Sequence, residues 1–155
     1  MTKPVDWWRA NARPVVWIRH DSSEPTSPLR SGQRGNDLTL SPRPGETVLG
    51  KSVNSAFIGT SLETHLGGGG SETVVLVGLT TDHCVSTTAR MAGNLGFVTY
   101  LVADATATFN RTGPDSREWT AQHRHGCAHR SVPGTDLCTP GSDRRTARGD
   151  AVPGM

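Results

Sequence analysis

Apolar residues are scarce in this chain of 155 residues, at 34%, and they stand beside 18 glycines and 10 prolines. That supply suits one domain with a real core and excludes two comfortable ones. The scarcity is uneven: apolar runs recur from Val15 to Leu101 and nearly vanish after Arg111. No stretch approaches the length of a membrane span, and the N-terminus lacks the apolar core of a signal peptide. The 3 cysteines are widely spaced and make no disulfide framework, so a reducing, cytoplasmic setting is expected. A net charge of +2 is too small to argue for nucleic acid or an anionic membrane as partner.

What is present is an alternation of strands and helices. Val15 to Arg19 reads as a buried strand between Pro14 and the polar run His20 to Ser23. Residues 21–46 are rich in Ser, Pro, Gly and Arg and read as a long surface loop, a kind of segment that is usually functional or disordered. Thr47 to Leu49 is a short second strand ending near Lys51. Thr60-Ser61-Leu62-Glu63 fits a capping box, which predicts a short helix stopped by the glycines Gly67 to Gly70. The strongest strand covers residues 73–79. Val85, Ala89, Ala92 and Leu95 then fall at helical spacing before Gly96, and a further strand runs from Val98 to Ala103, closed by Asp104.

This order predicts an α/β fold: a three-layer, doubly wound, mostly parallel sheet. Right-handed crossovers gather the functional loops of such a sheet at the carboxyl ends of its strands. His20, Lys51, the turn from Thr80 to Cys84, and Asp104 all sit at such ends. Four chemically capable sites therefore share one rim.

Cys84 is the sharpest feature of that rim. A cysteine where a strand turns into a helix meets outward-pointing N–H groups and a helix dipole that favours thiolate. The bland alternative is a small buried core cysteine. Lys51, taken alone, is an ordinary solvated lysine, as most lysines are.

The blocks Arg19 to Ser22, Lys51 to Thr60, Gly78 to Arg90, and Ala103 to Thr106 together resemble the isochorismatase-like cysteine hydrolases, over Pro14 to Gly113. The resemblance implies a Rossmann-type fold and a site built from Cys, Lys and Asp. It makes Cys84 the nucleophile and Lys51 the cationic member, with the backbone N–H groups of Thr80 and Cys84 as oxyanion donors. It also implies a cis peptide at Leu79–Thr80. His20, Asn54, Phe57 and Thr81 become candidates for the pocket of a small-molecule amide substrate. No cofactor is expected. His20 and Asp21 suggest a metal pair of the nicotinamidase kind, but that branch needs a further histidine and the 21–46 loop has none, so a loop-anchoring or substrate-facing pair is expected instead. Self-association is common in the family, so a homo-oligomer is a further expectation.

Two departures from the family pattern stand out. The family Asp ends a first central strand, and the segment from Met1 to Arg9 reads instead as the end of a first helix, so Asp6 takes no catalytic role. Asp21 and Asp104 lie on the rim but match other family positions. In this fold the first strand lies between the strands at 15–19 and 73–79. Its absence leaves two apolar strands with unpaired backbone groups, each costing roughly 1–3 kcal/mol if buried. The second departure begins near Trp119. Residues 1–119 are expected to form a partial hydrolase domain and 120–155 a low-complexity, disordered tail. An abrupt change of this kind is what a shifted reading frame in a GC-rich gene produces. Within that tail, His123, His125, Cys127, His129 and Cys138 are metal-competent, but their spacing lacks the paired pattern of a structural zinc site.

The expected function is hydrolysis of a C–N bond in a small amide through a Cys84 thioester. The alternative is an inactive, truncated remnant that binds ligand or pairs with a full-length homologue. A redox-reactive thiol protein is a third possibility, and needs no Asp.

Overall fold

A computed structural model of the chain describes residues 2–112, 118–119 and 130–131. Helix α1 (Thr2–Ala10) leads through Ala12, with φ at 51°, into strand β1 (Val16–His20). Strand β2 (Thr47–Lys51) pairs with β1 in parallel, from Val16 opposite Thr47 to His20 opposite Lys51. That register sets His20 and Lys51 side by side at the carboxyl end of the pair.

Glu46 ties α1 to these strands. Arg9 donates to its carboxylate through both Nε and Nη2 at 2.7 Å, and Trp17 Nε1 donates at 2.7 Å. The Arg9 guanidinium also lies 5.4 Å from the centre of a Trp17 ring. Chiefly because Arg9 hydrogen-bonds its charged form, the Glu46 carboxyl is held down at about 2.

Helix α2 (Leu62–Gly68), strand β3 (Thr73–Leu79), helix α3 (Ser86–Asn94) and strand β4 (Val98–Ala107) follow in order. Both helices end in a Schellman motif, the glycine stops that the sequence predicts. After α2, Gly70 has φ at 64° and Ser71 N–H reaches Leu66 O at 3.0 Å. After α3, Gly96 has φ at 89° and Phe97 N–H reaches Ala92 O at 3.0 Å. The start of α2 differs from expectation. Ser61 makes no side-chain cap bond, and the Thr60 hydroxyl instead accepts the Leu62 N–H at 3.2 Å.

Strand β4 also differs, because it continues past Asp104. Leu76 faces Leu101 in the parallel β3–β4 ladder, yet Gly78 faces Thr106. The residues between Leu101 and Thr106 bulge out of the ladder and pairing resumes beyond them, so an exposed Asp104 sits within the strand and does not close it. Strand β5 (Arg111–Thr112) pairs with β6 (Glu118–Trp119), and β7 (Arg130–Ser131) adds antiparallel to β4.

The architecture is α/β with mainly parallel strands, as the strand–helix alternation predicts. Its core cluster is Ala56, Phe57, Leu62 and Ala92, against which Val16, Ile18, Leu49, Val74 and Phe97 pack. Phe57 stacks on Phe97 with ring centres 5.9 Å apart. Among the described residues, β1 is bonded to β2 alone and β3 to β4 alone, so no ladder joins the two pairs. No helix among them is long and apolar enough to cross a membrane. The histidines and cysteines of the expected tail, from His123 to Cys138, lie outside the described residues.

Candidate functional site

Three of the residues singled out in the sequence converge at the carboxyl ends of the strands. Lys51, the last residue of β2, is 5% exposed and its Nζ has three neighbours at bonding distance. It donates to Val53 O at 2.8 Å and to Cys84 Sγ at 3.2 Å, and lies 3.1 Å from His20 Nδ1. An ammonium has three protons and no acceptor, so Nδ1 must serve as the acceptor and His20 must carry its proton on Nε2. Burial first, and then the Lys51 charge, push the His20 imidazole below its ordinary 6.5. The neutral ring and the charged lysine are thus mutually consistent.

Cys84 approaches from the other strand pair. The Leu79–Thr80 peptide is cis, as the resemblance implies, and the chain enters a π-helical turn, Thr81–Val85, before α3. The strand-to-helix turn expected at Cys84 takes this wider form, a conformation frequent at functional sites. His83 N–H and Val85 N–H both donate to Thr80 O at 3.2 Å. The Asp82 carboxylate accepts from the Thr108 hydroxyl, which pins the turn to the end of β4. Asp82 was not singled out in the sequence, since nothing there brings residues 82 and 108 together.

The other candidates separate. Asn54 is exposed, with Oδ1 3.9 Å from Cys84 Sγ, at the edge of the same cluster. Thr81 Oγ1 is buried and has no hydrogen-bond partner among the described residues. Phe57 is taken up by the core and by its stack on Phe97. The segment between Asn54 and Phe57 is fixed from behind, because Ala56 N–H donates to the buried Thr88 hydroxyl at 3.0 Å.

Asp21 anchors the long loop. Its Oδ1 accepts from Arg19 Nε at 2.8 Å and from Asn36 Nδ2 at 2.9 Å. Asn36, itself buried, also reaches His20 O at 2.8 Å and Leu29 O at 3.1 Å. The Asp21 carboxyl is held below the usual range, first by Arg19 and then by Asn36. Gly50 makes room for this arrangement, since a Cβ there would collide with Asp21 Oδ2. Among the described residues no three His, Cys, Asp or Glu side chains are grouped to hold a metal ion.

A parallel α/β sheet with a cysteine in the turn after one strand, and a buried lysine at the end of another, defines a class of thiol-bearing site rather than a single protein. The isochorismatase domain model matches residues 2–128, and the chain belongs to the isochorismatase family. YrdC of Bacillus subtilis, an uncharacterized member, is 42% identical over 127 residues, covering 81% of this chain and 68% of its own length. The ureidoacrylate amidohydrolase RutB of Methylobacterium radiotolerans is 32% identical over 113 residues, covering 72% of this chain and 42% of its own. The crystal structure of an isochorismatase-family protein from Chromobacterium violaceum superposes with a TM-score of 0.74 at 45% identity, covering 79% of this chain and 65% of that one. The chain therefore spans between about two-fifths and two-thirds of the length of these relatives.

Proposed function

We propose that Cys84 is the nucleophile of a hydrolase acting on the C–N bond of a small amide, with Lys51 as its cationic partner. The observation that carries this reading is the 3.2 Å contact between a buried Lys51 Nζ and Cys84 Sγ. An ammonium at that distance favours the thiolate form of a cysteine. The thiolate attacks the amide carbon and forms a C–S bond; the carbonyl oxygen gains negative charge, for which the Thr80 and Cys84 N–H groups are the candidate donors. Collapse breaks the C–N bond, and the leaving nitrogen takes a proton from Lys51. Water then attacks the thioester, releasing the acid and restoring the thiol.

Membership of a family that includes a ureidoacrylate amidohydrolase supports an amide or N-carbamoyl substrate. Asn54 at the cluster edge and the Thr81 hydroxyl, unpartnered among the described residues, are the polar groups proposed to meet it. The test is ammonia release from ureidoacrylate and a panel of small primary amides, by wild type and Cys84→Ala. Release that depends on Cys84 supports the reading, and release unchanged by its loss rejects it.

One observation favours a second reading, a binding or subunit-pairing module without turnover. The three groups around Lys51 Nζ are an imidazole, a carbonyl and a sulfur, with no carboxylate among the described residues to move protons. Ligand binding by Cys84→Ala together with no turnover by wild type would select it.

A further inference from the structure

Thr108 and Asp82, which the proposed chemistry does not use, are joined across two elements. The Thr108 hydroxyl is buried just beyond the end of β4 and donates to the Asp82 carboxylate, two residues before Cys84. A buried hydroxyl needs a partner, and a bond to a carboxylate is stronger than one between neutral groups. The bulge in β4 is what brings the two together. Leu76 pairs with Leu101, twenty-five residues on, whereas Leu79 pairs with Ala107, twenty-eight on, so the bulge takes up three residues of β4. The next position, level with Thr80, is therefore Thr108; at the earlier offset it would be Ala105, which has no hydroxyl. Within the bulge the Thr106 hydroxyl donates back to Ala103 O at 3.2 Å. Bulges beside active sites re-aim side chains in this way.

The consequence falls on Cys84. Lys51 Nζ is held on its own side by Val53 O at 2.8 Å and His20 Nδ1 at 3.1 Å, so its 3.2 Å approach to Sγ depends on where the turn sits. The bonds from His83 N–H and Val85 N–H to Thr80 O close the turn on itself. The bond from Thr108 ties it to a different strand.

We propose that Thr108 and Asp82 are positioning residues for Cys84: their bond fixes the turn where Sγ meets the Lys51 ammonium. The effect on turnover rests on the hydrolase reading above; the effect on the sulfur does not.

The test uses the full chain and the rate at which iodoacetamide alkylates Cys84 at pH 7, mapped by peptide mass spectrometry, with and without Lys51→Met. In wild type the loss of Lys51 should slow alkylation about tenfold. In Thr108→Val it should slow it by less than about twofold, because the sulfur has already left the ammonium. Comparing rates within each background cancels any change in how exposed the sulfur is. Thr108→Ser, which keeps the hydroxyl, should restore the full Lys51 effect. Thr99→Val removes another buried hydroxyl of β4, one bonded to Phe97 O, and should also leave that effect whole. A full Lys51 effect in Thr108→Val overturns the proposal. So does its loss in Thr99→Val, which would mean general loosening, or its absence in wild type. If Thr108→Val does not fold, Asp82→Ala carries the same expectation from the other end of the bond. With an amide that wild type hydrolyses, Thr108→Val should lower kcat about tenfold and leave KM within about twofold. A raised KM with kcat unchanged would place the pair in substrate binding and reject the positioning role. No turnover of any amide by wild type rejects the hydrolase reading, and the alkylation ratios then decide the positioning alone.

Discussion

Lys51 and Cys84 meet at 3.2 Å although β2 and β3 share no hydrogen-bonded ladder among the described residues. The contact is made at the rim, between the last residue of one strand and the π-helical turn that follows the other. Removing the ammonium tests what it does for the sulfur. Lys51→Met should slow alkylation of Cys84 by iodoacetamide at pH 7 by about tenfold, since a nearby cation favours thiolate over thiol. Lys51→Arg should not rescue it, because a planar fork cannot occupy the place of a point charge among three acceptors. An alkylation rate unaffected by either change would mean the contact has no electrostatic consequence.

His20 carries a pH dependence with a definite sign. Its imidazole titrates below 6.5 in the folded chain, so the neutral ring prevails above that value and protonation sets in as pH falls through the lowered one. A charged ring cannot accept from Lys51. Turnover and folded stability should both decline on acidification below 6.5, and His20→Asn should flatten that limb by keeping an acceptor that does not titrate. A profile identical in wild type and His20→Asn would remove His20 from the account.

Glu46 sets a second acid limb, this one of stability alone. Its carboxyl is depressed from 4.5 to about 2, so its contribution is complete above 4.5 and is lost as pH falls toward 2. The thermal midpoint of wild type should fall over that window. Glu46→Gln should start roughly 3–8 °C lower near neutrality and fall less steeply, as measured by circular dichroism. Parallel curves for the two proteins would contradict this.

Gly50→Ala tests the loop anchor. The new Cβ would strike the Asp21 carboxylate, which must rotate away from Arg19 and Asn36. A loss of about 1–3 kcal/mol is expected from chemical denaturation, the scale of an overpacked or unsatisfied site. Asp21→Ala in the same background should then add little, because the clash and the network it disturbs are both gone.

Much of this was legible in the sequence, and the exceptions have physical reasons. The apolar runs and glycine stops located β1, β3 and α3, because strand period and the left-handed φ at Gly96 are local properties. The Cys84 and Lys51 blocks marked the two residues now seen in contact. Phe57 reads as a pocket residue, and its stack on Phe97, forty residues on, leaves no local signal. Asp104 was read as a strand end because polar residues usually close strands; a bulge lets β4 pass it by. His20 and Asp21 read as a loop-anchoring or substrate-facing pair, and Asp21 is held by Asn36, a partner that no periodicity of the loop describes.

Whether Cys84 is the nucleophile is read directly by intact-mass spectrometry of the quenched reaction. Mixed with an amide that releases ammonia, wild type should gain the mass of one acyl group, mapped to Cys84 and labile to hydroxylamine, and Cys84→Ala should gain none. Ammonia released at the wild-type rate by Cys84→Ala, with no adduct on the sulfur of wild type, would contradict that role.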